Sequence, residues 1–199
     1  NSSMRQFLKI VPLPVTLTVI AFLCPVEMSV WLGGSRFSPH RLVFLLFFPL
    51  AFYKLIRARD LKPHGFDFAF ILYNLWTVGI FVYHGEGGQV AASNQGSSGG
   101  LQYGGALALE SLAAYVIARA YIRDGDTFRA VVRLLFMGVA VAGLIALPET
   151  LLGQHFAHDA MNALTGYGFP LKYEARLGLE RAYSTYEHPI HYGTFCASV

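Results

Sequence analysis

Charge is scarce in this sequence. Only 14% of its 199 residues are Asp, Glu, Lys or Arg, against roughly 25% in an ordinary soluble domain. Disorder is excluded as well, because 54% of the residues are hydrophobic, and a disordered chain combines low hydrophobicity with high charge. Cysteine is nearly absent. Cys24 and Cys196 are the only two, which rules out a disulfide framework or a four-cysteine zinc site. The net charge of +3 is too small to argue for a nucleic-acid partner. No Gly-Lys-Ser/Thr ends the glycine-rich run from His84 to Gly105, so it is not a phosphate-cradling P-loop. Its composition reads as a flexible connector.

What the chain has is apolar runs. A helix that crosses a bilayer needs about 20 mostly apolar residues. Five stretches approach this length: Ile10 to Val26, about Phe37 to Ile56, Phe68 to Tyr83, about Gly104 to Ile122, and about Thr127 to Leu147. The second requires Arg41 and Lys54 to snorkel at its ends. A signal peptide competes for the first, but Pro25-Val26-Glu27 is a poor cleavage site. A sixth apolar run starts near His188 and stops at Val199, too short to span. The expected fold is an all-α, polytopic transmembrane helical bundle with five complete spans and a truncated sixth. It would form one integral-membrane domain over residues 1–199, the N-terminal fragment of a longer protein.

Positive charge sets the orientation. The N-terminus and alternate loops carry ten Lys or Arg, while the intervening loops carry five. The ten-charge side is read as cytoplasmic, which places the N-terminus inside and residues 84–105 and 148–187 outside. Arg119, Arg123, Arg129 and Arg133 act as topology determinants at anionic lipid. The stretch 148–187 is long for a connection. It mixes aromatics with charges of both signs, so ordered helical pieces lying at the interface are expected. His155 and His158 are three apart, as are His188 and His191, but no third ligand follows at a recognisable spacing. They are read as hydrogen-bonded histidines at the interface, with no metal.

The most specific stretch is Arg181-Ala-Tyr-Ser-Thr-Tyr-Glu-His-Pro-Ile-His-Tyr-Gly193. It resembles the bacterial O-antigen ligase, O-antigen polymerase and exopolysaccharide polymerase superfamily. There an outward Arg precedes a small-residue and aromatic step, a His-Pro or similar pair, and a Gly opening a helix. The early Gly33-Gly34-x-Arg36-x-Ser38-Pro39-x-Arg41 and the Glu110…Tyr115-x-x-x-Arg119 helix resemble the same family. The resemblance implies a metal-independent glycosyltransferase without cofactor in the bacterial inner (plasma) membrane. Its donor would be an undecaprenyl-diphosphate-linked glycan. Its acceptor would be lipid A–core or a growing glycan, with membrane lipids as the other partners. A large outward loop carrying a catalytic histidine would lie beyond Val199.

The chemistry suits such residues. Arginine meets the charge developing on a diphosphate leaving group, because its planar fork binds phosphate oxygens bidentately. Arg181 and His188 are expected to be catalytic. Arg36, Arg41, Arg176 and His191 are expected to bind substrate, with headgroup anchoring the plainer role for Arg36 and Arg41. Glu187 is expected to support the site at a helix start, where the dipole favours a carboxylate. Glu110, a carboxylate inside an apolar helix, needs compensation. It would be a supporting residue, either paired with Arg36, Arg41 or Arg181, or protonated and hydrogen-bonded. The competing readings are a lipid-linked oligosaccharide flippase or other polytopic transporter, and a non-catalytic subunit of an envelope complex.

Overall fold

The computed structural model describes residues 11–32, 35–58, 62–83, 100–167, 175–176, 179–186 and 188–198. Helix dominates them. The chain order is α1 (Leu13–Leu23), a 3-10 turn (Val26–Met28), β1 (Val30–Leu32), β2 (Ser35–Phe37), α2 (Pro39–Arg57), α3 (Gly65–Tyr83), α4 (Gly100–Tyr121), α5 (Gly125–Leu152), α6 (Phe156–Thr165), β3 (Ala175–Arg176), β4 (Leu179–Glu180) and α7 (Pro189–Ala197). The strands form two short two-stranded ladders, β1 with β2 and β3 with β4.

Three of these helices, α2, α3 and α5, are long and apolar enough to cross a membrane. Their side chains support that reading: on α3, Leu72, Leu75 and Trp76 are all more than 60% exposed. An apolar face of that extent is costly in water and ordinary in lipid. Two of the five expected spans differ. Helix α1 covers 11 described residues, roughly 16 Å at 1.5 Å per residue, about half the hydrocarbon thickness. Prolines set its limits. Pro12 and Pro14 lie at its start, where their missing N–H groups cost nothing, and Cys24 turns to extended backbone before Pro25. Helix α4 has 22 residues, long enough, but Gln102, Glu110 and Ser111 lower its hydropathy and it is not among the three.

The chain divides into two compact units. The first holds residues 1–30, 38–40 and 124–199. Its axis is α5, which runs on through Pro148 to Leu152. The outward segment expected to begin at Pro148 is therefore helical for its first five residues, 148–152. Proline removes a single backbone bond and need not end a helix held by packing. Asp124 caps the start of α5, accepting from the amides of Asp126 at 3.0 Å and Thr127 at 2.8 Å. Gly153 ends it in the left-handed region at φ 64°, donating its N–H to the Glu149 carbonyl. Small residues let neighbours approach: a Cβ on Gly138 would lie 3.3 Å from Leu23 of α1 and 3.4 Å from Phe195 of α7. Ala142 and Ala146, one and two turns further on, are buried. Helix α6 packs against the 3-10 turn and α5.

The second unit holds residues 31–37 and 41–123. Its core is the antiparallel pair α3 and α4, matched along its length. Near one end, Asp67 accepts from the Tyr115 hydroxyl and, at 3.0 Å, from Arg119 Nη2. In the middle, the Ser111 hydroxyl donates to Asn74, whose Nδ2 bonds the Phe70 carbonyl at 2.8 Å. Near the other end, Gly104 meets Phe81 so closely that a Cβ there would lie 2.9 Å from the Phe81 Cβ. The glycine-rich run expected to be a connector as far as Gly105 is helical from Gly100, while residues 84–99 lie outside the described residues. Helix α2 runs parallel to α4, tied by Arg41 to Glu110 at one level and by Lys54 over the Tyr121 ring, 4.1 Å from its centroid, at another.

Candidate functional site

The sequence motif that begins at Arg181 meets the end of α5 inside the first unit. Glu149 lies in the last turn of α5 and is fully buried. Its Oε2 accepts the backbone N–H of Ser184 at 2.7 Å and of Tyr183 at 3.2 Å. The Ser184 hydroxyl donates to the carbonyl of Ala142 on the same helix at 2.9 Å. Ser184 adopts φ 54°, the sole positive φ among described residues other than glycine. Non-glycine residues enter that region rarely, and here the turn is held from two levels of one helix. Two buried amides share one carboxyl oxygen as their acceptor.

Histidines close the other sides. His155, at the N-cap of α6, is fully buried, with Nδ1 3.9 Å from Glu149 Oε2. Its ring meets Tyr183 edge-on at 4.8 Å. His158 is buried beside Glu27 of the 3-10 turn, with Nδ1 to Oε1 at 2.6 Å. Which of the two donates across this contact is set by the tautomer of His158. The His158 ring also stands edge-on to Tyr183, at 6.3 Å. Tyr183 is thus the hub of a buried Glu27, His158, His155, Glu149 cluster. Among the described residues no group of three or more His, Cys, Asp or Glu is arranged to hold a metal ion.

The expected site residues fall into both units. Arg181 is half-buried, two residues before Tyr183 on the anchored turn. His188 caps α7, and its Nδ1 accepts from the amide of Ile190 at 3.2 Å. The lone pair used at Nδ1 leaves the ring hydrogen of the neutral form on Nε2. His188 lies 6.4 Å from the Tyr183 ring and 6.0 Å from the ring of His191, which is exposed on α7. Arg176 lies in β3, and its side chain is outside what is described. Glu187 lies outside the described residues. Tyr186 is held close to Tyr192 and Phe195, and burial pushes its hydroxyl pKa up, with Cys196 and Tyr192 adding to the shift.

Arg36, Arg41 and Glu110 belong to the second unit. Of the three arginines considered as partners for Glu110, Arg41 reaches it, Nε to Oε1 at 2.5 Å. Arg41 Nη1 also donates to the Arg36 carbonyl at 2.8 Å. Two of its nitrogens are therefore engaged within the protein.

No family model, curated protein or solved structure matches the chain.

Glu149 and Glu27 are the site residues that sequence reasoning misses. The signal exists for Glu149: a carboxylate in an apolar helix needs a partner, the same argument that singles out Glu110. Assigning Pro148 to a loop start hides it, because a loop carboxylate needs no such explanation.

Proposed function

We propose that the chain belongs to a polytopic, metal-independent glycosyltransferase in the bacterial inner membrane. In this reading α1 to α5 are five spans, α7 opens a sixth, and the N-terminus is cytoplasmic. The enzyme moves a glycan from undecaprenyl diphosphate to lipid A–core or to a growing polysaccharide, as in the O-antigen ligase and polymerase superfamily its motif resembles. The observation that carries the proposal is the anchored turn: Arg181 and His188 bracket a backbone segment fixed to the end of an apolar helix by buried Glu149.

The acceptor hydroxyl oxygen attacks the anomeric carbon of the glycan. The bond from that carbon to the diphosphate oxygen breaks, and undecaprenyl diphosphate leaves. A base takes the hydroxyl proton. Arg181 meets the charge developing on the diphosphate, and a preplaced cation does so without reorganisation. Nε2–H of neutral His188 orients the diphosphate or the acceptor. Arg176 and His191 bind the anionic substrates. Arg41 fixes the Arg36 backbone while it neutralises Glu110.

The deciding experiment measures glycan transfer from a lipid diphosphate donor by the whole protein in vesicles. Arg181→Lys keeps the charge and loses the fork, so transfer should fall by about 10²-fold. Near-normal transfer by that variant would remove the proposed role of Arg181.

The Arg41–Glu110 pair, an ion pair within the helices of the second unit, favours one other reading: a flippase for lipid-linked oligosaccharides. Transbilayer movement of donor without any transfer product would select it.

A further inference from the structure

We propose that Glu149 is a positioning residue for this transferase site, an inference that rests on the glycosyltransfer reading for the identity of the substrate. It holds Arg181 and His188 in working geometry through the backbone of Tyr183 and Ser184, without itself touching substrate.

The residues between the two functional groups contain a backbone shape that the sequence does not favour. A serine at φ 54° has no glycine's freedom. Its amide and that of Tyr183 both aim at one oxygen of a fully buried carboxylate. The Ser184 hydroxyl adds a second tie to the same helix two turns earlier, at the Ala142 carbonyl. Tyr183 in turn is packed edge-on by His155 and lies 6.4 Å from His188. The segment therefore takes its position from α5, the longest helix in the described chain at 28 residues. A catalytic group placed on rigid elements by buried contacts keeps the geometry that transition-state stabilisation needs. A misplacement of about 1 Å can cost about 10²-fold in rate.

One detail separates anchoring from a need for charge. Both amide bonds go to Oε2, and Glu149 Oε1 has no hydrogen-bond partner among the described residues. Glu149→Gln can keep its amide oxygen at the Oε2 position and make the same two bonds. Glu149→Ala leaves two buried amides without an acceptor.

The test uses the whole protein in phospholipid vesicles with two readouts. Amide hydrogen exchange over residues 181–186 reports the turn. Steady-state transfer from an undecaprenyl-diphosphate-linked glycan donor reports function. Glu149→Ala should raise exchange at Tyr183 and Ser184 about tenfold or more, and lower kcat by about 10²-fold with the acceptor KM unchanged. Glu149→Gln should restore both to within about threefold of the unaltered protein. Wild-type exchange or wild-type kcat in Glu149→Ala would overturn the proposal, as would a Gln variant as impaired as the Ala variant. Should Glu149→Ala fail to fold, Ser184→Ala replaces it. That variant loses only the Ala142 tie and should raise exchange and lower kcat while Glu149→Gln does neither; the reverse order would overturn the proposal. If the unaltered protein transfers no glycan, the glycosyltransfer reading falls by itself, whereas the exchange of Glu149→Ala against Glu149→Gln still judges whether Glu149 holds the turn.

Discussion

Arg41 Nε donates to Glu110 Oε1 at 2.5 Å, joining α2 to α4 across 69 residues of sequence. Both side chains are about one-third exposed or less, at 32% and 25%. Removing either partner deletes this link between two apolar helices. Arg41→Met and Glu110→Leu should each destabilise the second unit. The double variant should lose less than the two single losses combined, with a coupling of about 0.5–3 kcal/mol. Unfolding in detergent micelles measures it, and strict additivity would show that the pair is energetically idle.

The Glu27–His158 contact lies deeper, with side chains 1% and 2% exposed. Glu27→Ala strands a buried ring nitrogen and should cost about 1–3 kcal/mol, the usual penalty for leaving a buried polar group unsatisfied. Replacing both, with Glu27→Leu and His158→Phe, should recover most of that loss. A melting midpoint unchanged by Glu27→Ala would mean that His158 finds its hydrogen bond elsewhere.

Gly104 is the close-approach point of α3 and α4. A Cβ would lie 2.9 Å from the Phe81 Cβ, an atom fixed to the backbone that cannot swing aside. Gly104→Leu should therefore separate the two helices at this end and cost about 1–3 kcal/mol through overpacking. Phe81→Ala in the same chain should relieve part of it. Full stability of Gly104→Leu alone would contradict the packing described.

Asp124 carries a pH dependence. The Thr127 amide and hydroxyl and the Asp126 amide hold its pKa below the usual carboxylate value. A depressed folded-state pKa means that the stabilisation is present above the unfolded pKa and is lost as pH falls through the folded one. Acidification below the ordinary carboxylate range should fray the start of α5 first. Amide exchange at Asp126 and Thr127 should rise there, and Asp124→Ala should show raised exchange at neutral pH with no further change on acidification. Continued acid sensitivity in that variant would assign the effect to another group.

Much of the helical frame is legible along the chain. The apolar runs place α2, α3 and α5. The need of Glu110 for compensation is legible too, because an isolated carboxylate in an apolar helix is costly whatever its neighbours. Which arginine answers it is not legible, since Arg36, Arg41 and Arg181 all satisfy the charge requirement. The passage of α5 through Pro148 is missed because a proline is locally a stop signal, and only packing around the helix overrides it.

The sequence by itself determined where helices form and that several must face lipid. Those properties depend on spacing within 20 or so neighbouring residues, on prolines and glycines, and on the cost of charge in hydrocarbon. Tertiary structure alone decided that Glu149 grips Ser184, 35 residues away, and that Glu27 meets His158, 131 residues away. The physical reason is that a buried carboxylate takes any donor the fold delivers within hydrogen-bond range, and no local pattern encodes which one arrives.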